Sequence, residues 1–205
     1  MDPNHATEVR TGPTHKKGLM VTSVITLVGE SNSGKTTIAS ELIRILTEKG
    51  YKLAAVKHCP HGHDVDREGS DTHRMALAGA STVIAVSPNK VTKIERTESD
   101  SSLELIVDAL DGFDLVIAEG FKDNSASKIL VESTGNSFPL VANLVATVLD
   151  QARVDSSDSP CFKFDEIPGL AAHIRDRFLK EVDSDRQFRP RTVRRNRAPL
   201  QRTTK

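Results

Sequence analysis

At 205 residues, with 37% hydrophobic residues, seven Phe, one Tyr and no Trp, the chain suits one domain whose core is built mainly from aliphatic side chains. Its formal charge of zero hides an asymmetry: Arg186–Lys205 holds eight Lys/Arg and no Asp or Glu, so residues 1–185 carry a net −8 and only the tail is basic. Two cysteines, Cys59 and Cys161, exclude a disulfide framework and point to a reducing compartment.

Residues 1–20 are polar and without period, and read as a disordered arm. The segment "KKGLMVTSVITLVG" begins like a signal peptide, but no small-residue cleavage site follows. Its apolar run is far below the roughly 20 residues that span a bilayer, so it reads as a buried strand, 21–28, of a cytoplasmic protein. Lys35 to Lys49 places Ile38, Leu42, Ile45 and Leu46 on one helical stripe that Gly50 stops. A second strand, 52–58, is followed by a polar loop to about Ser70 and a short helix ending near Gly79. Strands at 81–87 and 90–96 flank a Ser87-Pro88-Asn89 turn, and Ser101–Leu110 is helical. Buried strands follow at 114–120, at "KILVES" and within 139–150; the last helix carries Leu170, Ile174 and Phe178 on one face. Strands alternating with helices predict an α/β domain over 21–181, a mostly parallel sheet flanked by helices. Residues 182–205 read as a disordered basic tail. Its charges can hold nucleic-acid phosphates in a salt-dependent way, but Phe188 is the one aromatic among them, which favours a solvated extension.

Chemistry concentrates in three segments. In "GESNSGKTT", Gly29, Gly34, Lys35 and Thr36 complete G-x-x-x-x-G-K-[ST]. A loop that wraps a polyphosphate turns its N–H groups inward, which glycine permits. The helix beginning at Lys35 aims its positive end at the phosphates. Glu30, Ser31, Asn32, Ser33 and Thr37 complete the cradle, Lys35 reaches the β- and γ-phosphates, and the Thr36 hydroxyl binds Mg²⁺. Chance would produce the fixed letters in roughly one chain per hundred of this length, and here they lie between a strand and an amphipathic helix. The motif specifies a triphosphate and leaves the base open.

The second segment, "DLVIAEGFK", supplies Glu119 at the end of an apolar run. Ligands bind at the carboxyl ends of parallel strands, which favours Glu119 as a magnesium ligand over Asp114 at the opposite end. In the third, "KHCPHGHDVDREGSDTHR" (57–74), the spacing of His58, Cys59, His61 and His63 matches no closed tetrahedral zinc site. Because this loop leaves a strand beside the phosphate loop, Asp66 and Asp71 are expected to reach the magnesium shell. Lys57, His58 and Arg74 are expected to face anionic groups.

Together these segments resemble the molybdopterin-guanine dinucleotide biosynthesis protein B (MobB) family of phosphate-loop adapters. The resemblance rests on Gly29–Thr37, on the pattern from Lys57 to Ala80, and on Asp114–Lys122 with Lys128-Ile129 after it. "ATVLD" (146–150) and "FDEIPGLAAHI" (164–174) extend it to about residues 22–180. It implies a GTP-binding homodimer with slow Mg²⁺-dependent hydrolysis that assists the guanylyltransferase joining GMP to molybdopterin. Where the family tends to have "KPGKD", this chain has "REGSD" (67–71), keeping Gly69 and Asp71. The guanine-reading "NKxD" is absent, since "NKVT" (89–92) lacks its Asp, so the choice of GTP rests on the resemblance. The rival reading, an ATP-dependent small-molecule kinase, calls for an Arg-rich lid, and the one Arg-rich segment is the Pro-containing tail.

Overall fold

The computed structural model describes residues 22–63, 66–132, 141–150 and 159–179; the predicted N-terminal arm and basic tail lie outside them. In chain order the elements are β1 (Ser23–Val28), α1 (Lys35–Glu48), β2 (Leu53–Lys57), α2 (Asp71–Leu77), β3 (Thr82–Ser87) and β4 (Lys90–Glu95). They continue with α3 (Leu103–Asp108), β5 (Leu115–Glu119), β6 (Ser127–Glu132), β7 (Leu144–Leu149), β8 (Cys161–Lys163) and α4 (Ile167–Phe178).

Among the described residues, six strands form one sheet in the order β2-β5-β1-β6-β7-β8, and every neighbouring pair is parallel. A parallel strand covered on both faces needs a continuous apolar run rather than an alternating one. Accordingly "ITLV" (25–28) and "LVIA" (115–118) are buried along their length. Ile25, Leu27, Leu115, Ile117, Ile129 and Val131 join the core under α1 and α4. That core takes Ile38, Leu42 and Leu46 from α1 and Leu170 and Ile174 from α4, at about 1.5–3 kcal/mol of burial each. Alternate residues Thr26, Val116, Ala118 and Lys128 point to the other side and are buried too.

Two features differ from the sequence expectation. The strands at β3 and β4 do not join the parallel sheet; they pair with each other as an antiparallel hairpin packed beside α2. Local alternation identifies a strand but not the sheet it enters. The three-residue β8, too short to show any period, extends the sheet at its β7 edge.

The connection from β5 to β6 positions the site. It passes over β1 in residues 120–126, with no helix, because the two strands are staggered: Glu119 pairs with Leu27 while Ser127 pairs with Ile25. Asn124 fastens this short crossing, donating from Nδ2 to Phe121 O and to Thr26 Oγ1 (3.3 Å), while its Oδ1 accepts from Ala126 N at 2.7 Å. Below it Lys128, only 3% exposed, donates from Nζ to the carbonyls of Asn124 (2.5 Å) and Ala126 (3.3 Å). A buried ammonium needs such acceptors to be tolerated, and here they come from the crossing loop itself. Asp114 lies at the far end of β5, where Oδ2 accepts from Lys52 N at 2.8 Å.

Candidate functional site

A cavity of about 970 Å³ opens at the carboxyl ends of β1, β2 and β5. Its first wall is the loop between β1 and α1. Gly29 has φ 154°, and a Cβ there would lie 2.2 Å from Val131 O. The register explains the crowding: Val28 pairs with Leu130, so β6 runs on past β1 and sets Val131 against the loop. At the other end Gly34, φ 92°, caps α1 with the Phe164 ring packed behind it.

The start of α1 differs from those of α2 and α3 and resembles that of α4, which also has no side-chain cap. Ser70 caps α2 and Ser102 caps α3, each accepting a backbone N–H. α1 has no side-chain cap and no acidic residue in its first turn, so its N-terminal N–H groups are not taken up by a capping side chain. Lys35 Nζ arches back over the loop, donating to Gly29 O (3.2 Å), Glu30 O and Ser33 Oγ (3.4 Å). Ser33 is buried and braces the loop from inside.

Across the cavity stands Glu119, whose side chain is 15% exposed. Thr36 Oγ1 donates to its Oε2 at 2.7 Å. Lys57 Nζ lies 3.0 Å from its Oε1 and 3.4 Å from Thr36 Oγ1. Burial lowers the Lys35 pKa from its ordinary value; Glu119 opposes that shift, whereas the charges of Lys122 and Lys57 add to it. Lys35, Lys57 and Lys122 thus line the cavity beside the uncapped start of α1, in a wall that also holds the carboxylates of Asp100, Glu104, Glu119 and Asp123.

The expected site residues divide. Gly29, Ser31, Asn32, Gly34, Lys35, Thr36 and Thr37 line the cavity, together with Lys57, His58 and Glu119. Glu30 contributes its carbonyl through Lys35. Asp66, Asp71 and Arg74 are not brought to the cavity wall. Asp66 Oδ1 accepts from Ser70 and Thr72 hydroxyls at 2.8 Å each, which holds its carboxyl below the usual range and fixes the turn into α2. Asp71 and Arg74 belong to α2 itself, which leads toward the hairpin.

The sequence reading missed part of the wall. Phe121, Lys122 and Asn124 come from the crossing loop, and Asp100, Ser101 and Ser102 lead into α3. Phe121 and Lys122 had a signal, since they follow Glu119-Gly120 in the same segment. The Asp100 segment had none, because its approach depends on how α3 docks.

Comparison with known proteins bears on the family and the fold. The sequence model of the family described as "MobB: Molybdopterin guanine dinucleotide synthesis protein B" matches residues 24–150. The molybdopterin-guanine dinucleotide biosynthesis adapter protein of Haemophilus influenzae is 35% identical over 116 residues, and that of Escherichia coli 32% identical over 109. The matches cover 56% and 51% of this chain and 65% and 62% of those relatives, just under two thirds of their length. A crystal structure titled molybdopterin-guanine biosynthesis protein B (mobB) aligns with TM-score 0.62 at 30% identity, over 75% of this chain and 98% of that one. Bacillus subtilis MobB aligns with TM-score 0.63 at 23% identity, over 78% and 99%, and speaks for the fold alone. With the family model matched over more than half its length, the chain belongs to the MobB family.

Proposed function

We propose that this chain is a GTP-binding adapter in molybdopterin-guanine dinucleotide biosynthesis, with slow Mg²⁺-dependent GTPase activity, that assists a MobA-like guanylyltransferase acting on molybdopterin. The observation that carries the reading is the N-terminus of α1, which no side chain caps, opening with Lys35 onto a cavity lined by the glycine-bounded loop, Lys57 and Lys122. Such an arrangement suits a polyphosphate. Base choice and pathway come from the family.

In this reading the N–H groups of the loop and of the first turn of α1 hold the phosphate oxygens. Lys35 exchanges its carbonyl partners for the β- and γ-phosphates. Thr36 Oγ1 and the Glu119 carboxylate, two hard oxygen donors 2.7 Å apart, suit magnesium. Bound there, the ion would neutralise charge on the β- and γ-oxygens. Among the described residues, no Arg or Gln lines the cavity to stabilise a transition state or orient water, which accords with slow turnover by the isolated protein.

The homodimer belongs to the same reading. Val86 and Val91 pair on one hairpin face with Ile84, and these side chains are 76%, 64% and 58% exposed. Val83 on the opposite face is already buried beside α2, so the exposed apolar patch of the hairpin is the one at Ile84, Val86 and Val91. A lone hairpin is marginal in water, and a second copy of the hairpin would complete it. Val86→Asp is expected to convert a dimer to monomers in sedimentation equilibrium. An unchanged mass, or a monomeric wild type, would remove the dimer from this reading.

Calorimetric titration with GTP, ATP and CTP, with and without Mg²⁺, tests the nucleotide part. Micromolar GTP binding strengthened by Mg²⁺ is expected, and Glu119→Gln should remove about tenfold of that magnesium gain. The Lys57–Glu119 pair is half-exposed on its Lys57 side, so its loss should cost folding only about 0–1 kcal/mol. A preference for ATP with phosphate transfer to a small metabolite would replace the adapter reading with a kinase.

A further inference from the structure

We propose that the cavity wall formed by His58 and Phe121 is a second ligand subsite, taking a planar heteroaromatic molecule with an anionic group on the γ-phosphate side of the nucleotide. The proposal rests on the nucleotide reading above.

Position comes first. The Thr36–Glu119 pair would hold magnesium, and with it the β- and γ-phosphates, at this end of the cavity. The residues directly after Glu119 therefore lie beyond the terminal phosphate, away from the end of the nucleotide that carries the base. Phe121 sits there, lining the cavity, with its ring stacked on His58 (centroids 4.8 Å apart, planes at 27°).

The stack is built by several independent contacts. Gly120 lets the chain approach so closely that a Cβ would fall 2.9 Å from His58 Cβ. His58 N donates to Glu119 O at 2.9 Å, and His58 Nε2 lies 3.3 Å from Asp100 Oδ2. Phe121 itself adopts φ 48°, a region bulky L residues rarely enter, with its carbonyl held by Asn124 Nδ2. Strain of this kind persists where surrounding contacts over-determine it and is concentrated at ligand sites. A hydrophobic ring needing only burial would have found it under α1 or α4, not on a partly open cavity wall.

The wall also supplies charge and room. Lys122, next to Phe121 in sequence, and Lys57 line the same cavity, as do Asp100, Glu104 and Asp123, so a flat ligand with a carboxylate or phosphate finds a π-face and ammonium groups in one wall. At about 970 Å³ the cavity stands at the upper end of the roughly 300–1,000 Å³ typical of small-molecule sites, leaving space beside a nucleotide. The pterin within the product named by the family has this chemistry.

The test is a fluorescence titration of pterin-6-carboxylate against the full chain preloaded with Mg²⁺ and a non-hydrolysable GTP analogue, with GTP affinity measured on every variant. Wild type is expected to bind the pterin, Phe121→Ala to lose about tenfold or more, and Phe121→Tyr to retain it. GTP affinity should stay within about twofold in both variants. Lys122→Gln should weaken the carboxylate-bearing probe and leave unsubstituted pterin unaffected. Equal pterin binding in wild type and Phe121→Ala, or none in wild type that binds GTP normally, would overturn the subsite and leave the nucleotide reading standing. Loss of GTP and pterin together in Phe121→Ala, with Phe121→Tyr normal in both, would place the guanine base on these rings and overturn it as well. A wild type that ignores GTP removes both proposals at once.

Discussion

Lys35→Ala is expected to weaken GTP binding by about a hundredfold or more while leaving the thermal midpoint nearly unchanged. The ammonium makes its contacts with loop carbonyls and Ser33 Oγ, groups that water can serve once the side chain is shortened. Toward a triphosphate the same ammonium would make charge-assisted bonds of about 1.5–3 kcal/mol each, and two of them amount to about a hundredfold at 1.4 kcal/mol per decade. The sign of the pH dependence follows from burial. Since the fold lowers the Lys35 pKa, its proton leaves at lower pH than from an exposed lysine. GTP affinity in wild type should therefore begin to fall with rising pH before ordinary lysines titrate, and this decline should vanish in Lys35→Ala. Titration calorimetry across alkaline pH checks both; an alanine variant that binds like wild type would remove Lys35 from the site.

Gly29→Ala is expected to produce the largest loss of stability of any substitution in the loop, more than about 3 kcal/mol. The added methyl would sit 2.2 Å from a backbone oxygen of β6 and 2.9 Å from Ser33 Oγ, at a φ of 154° that L side chains rarely adopt. A backbone atom in a central strand cannot step aside as a rotamer can. Gly34→Ala meets the Phe164 ring instead, which has side-chain freedom, so its cost should be smaller. Urea denaturation of the two variants gives the comparison. Equal midpoints would mean that the register of β6 against the loop is not the constraint described above.

Much of this was legible in the sequence because the phosphate loop is a local object. Its glycines, its lysine and the helix that follows occur within one stretch, and the apolar stripe through Ile38, Leu42 and Leu46 shows which way that helix faces. Glu119 was legible from a rule of parallel sheets: the carboxyl end of an apolar run is where ligands meet the chain. Non-local placement was not legible. Asp66 and Asp71 lie in the segment after β2, close in sequence to Lys57 and His58, yet the Ser70 cap turns that segment into α2 and away from the cavity. Conversely, Asp100 meets His58 across 42 residues, and only the packing of α3 brings them together. The seven-residue crossing from β5 to β6 depends on a stagger that no pattern in the sequence announces, and it carries Phe121 and Asn124. Lys128 reads as the polar start of a strand, whereas its ammonium is the buried peg beneath that crossing.

The most direct measurement is a crystal structure of the full chain with Mg²⁺ and a non-hydrolysable GTP analogue. The expected result shows the β-phosphate within hydrogen-bonding distance of the N–H groups from Ser33 to Thr36, Lys35 Nζ moved from the loop carbonyls to the phosphates, and magnesium on Thr36 Oγ1 near Glu119. Nucleotide seated elsewhere on the chain, or absent while Lys35 stays on Gly29 and Glu30, would contradict it.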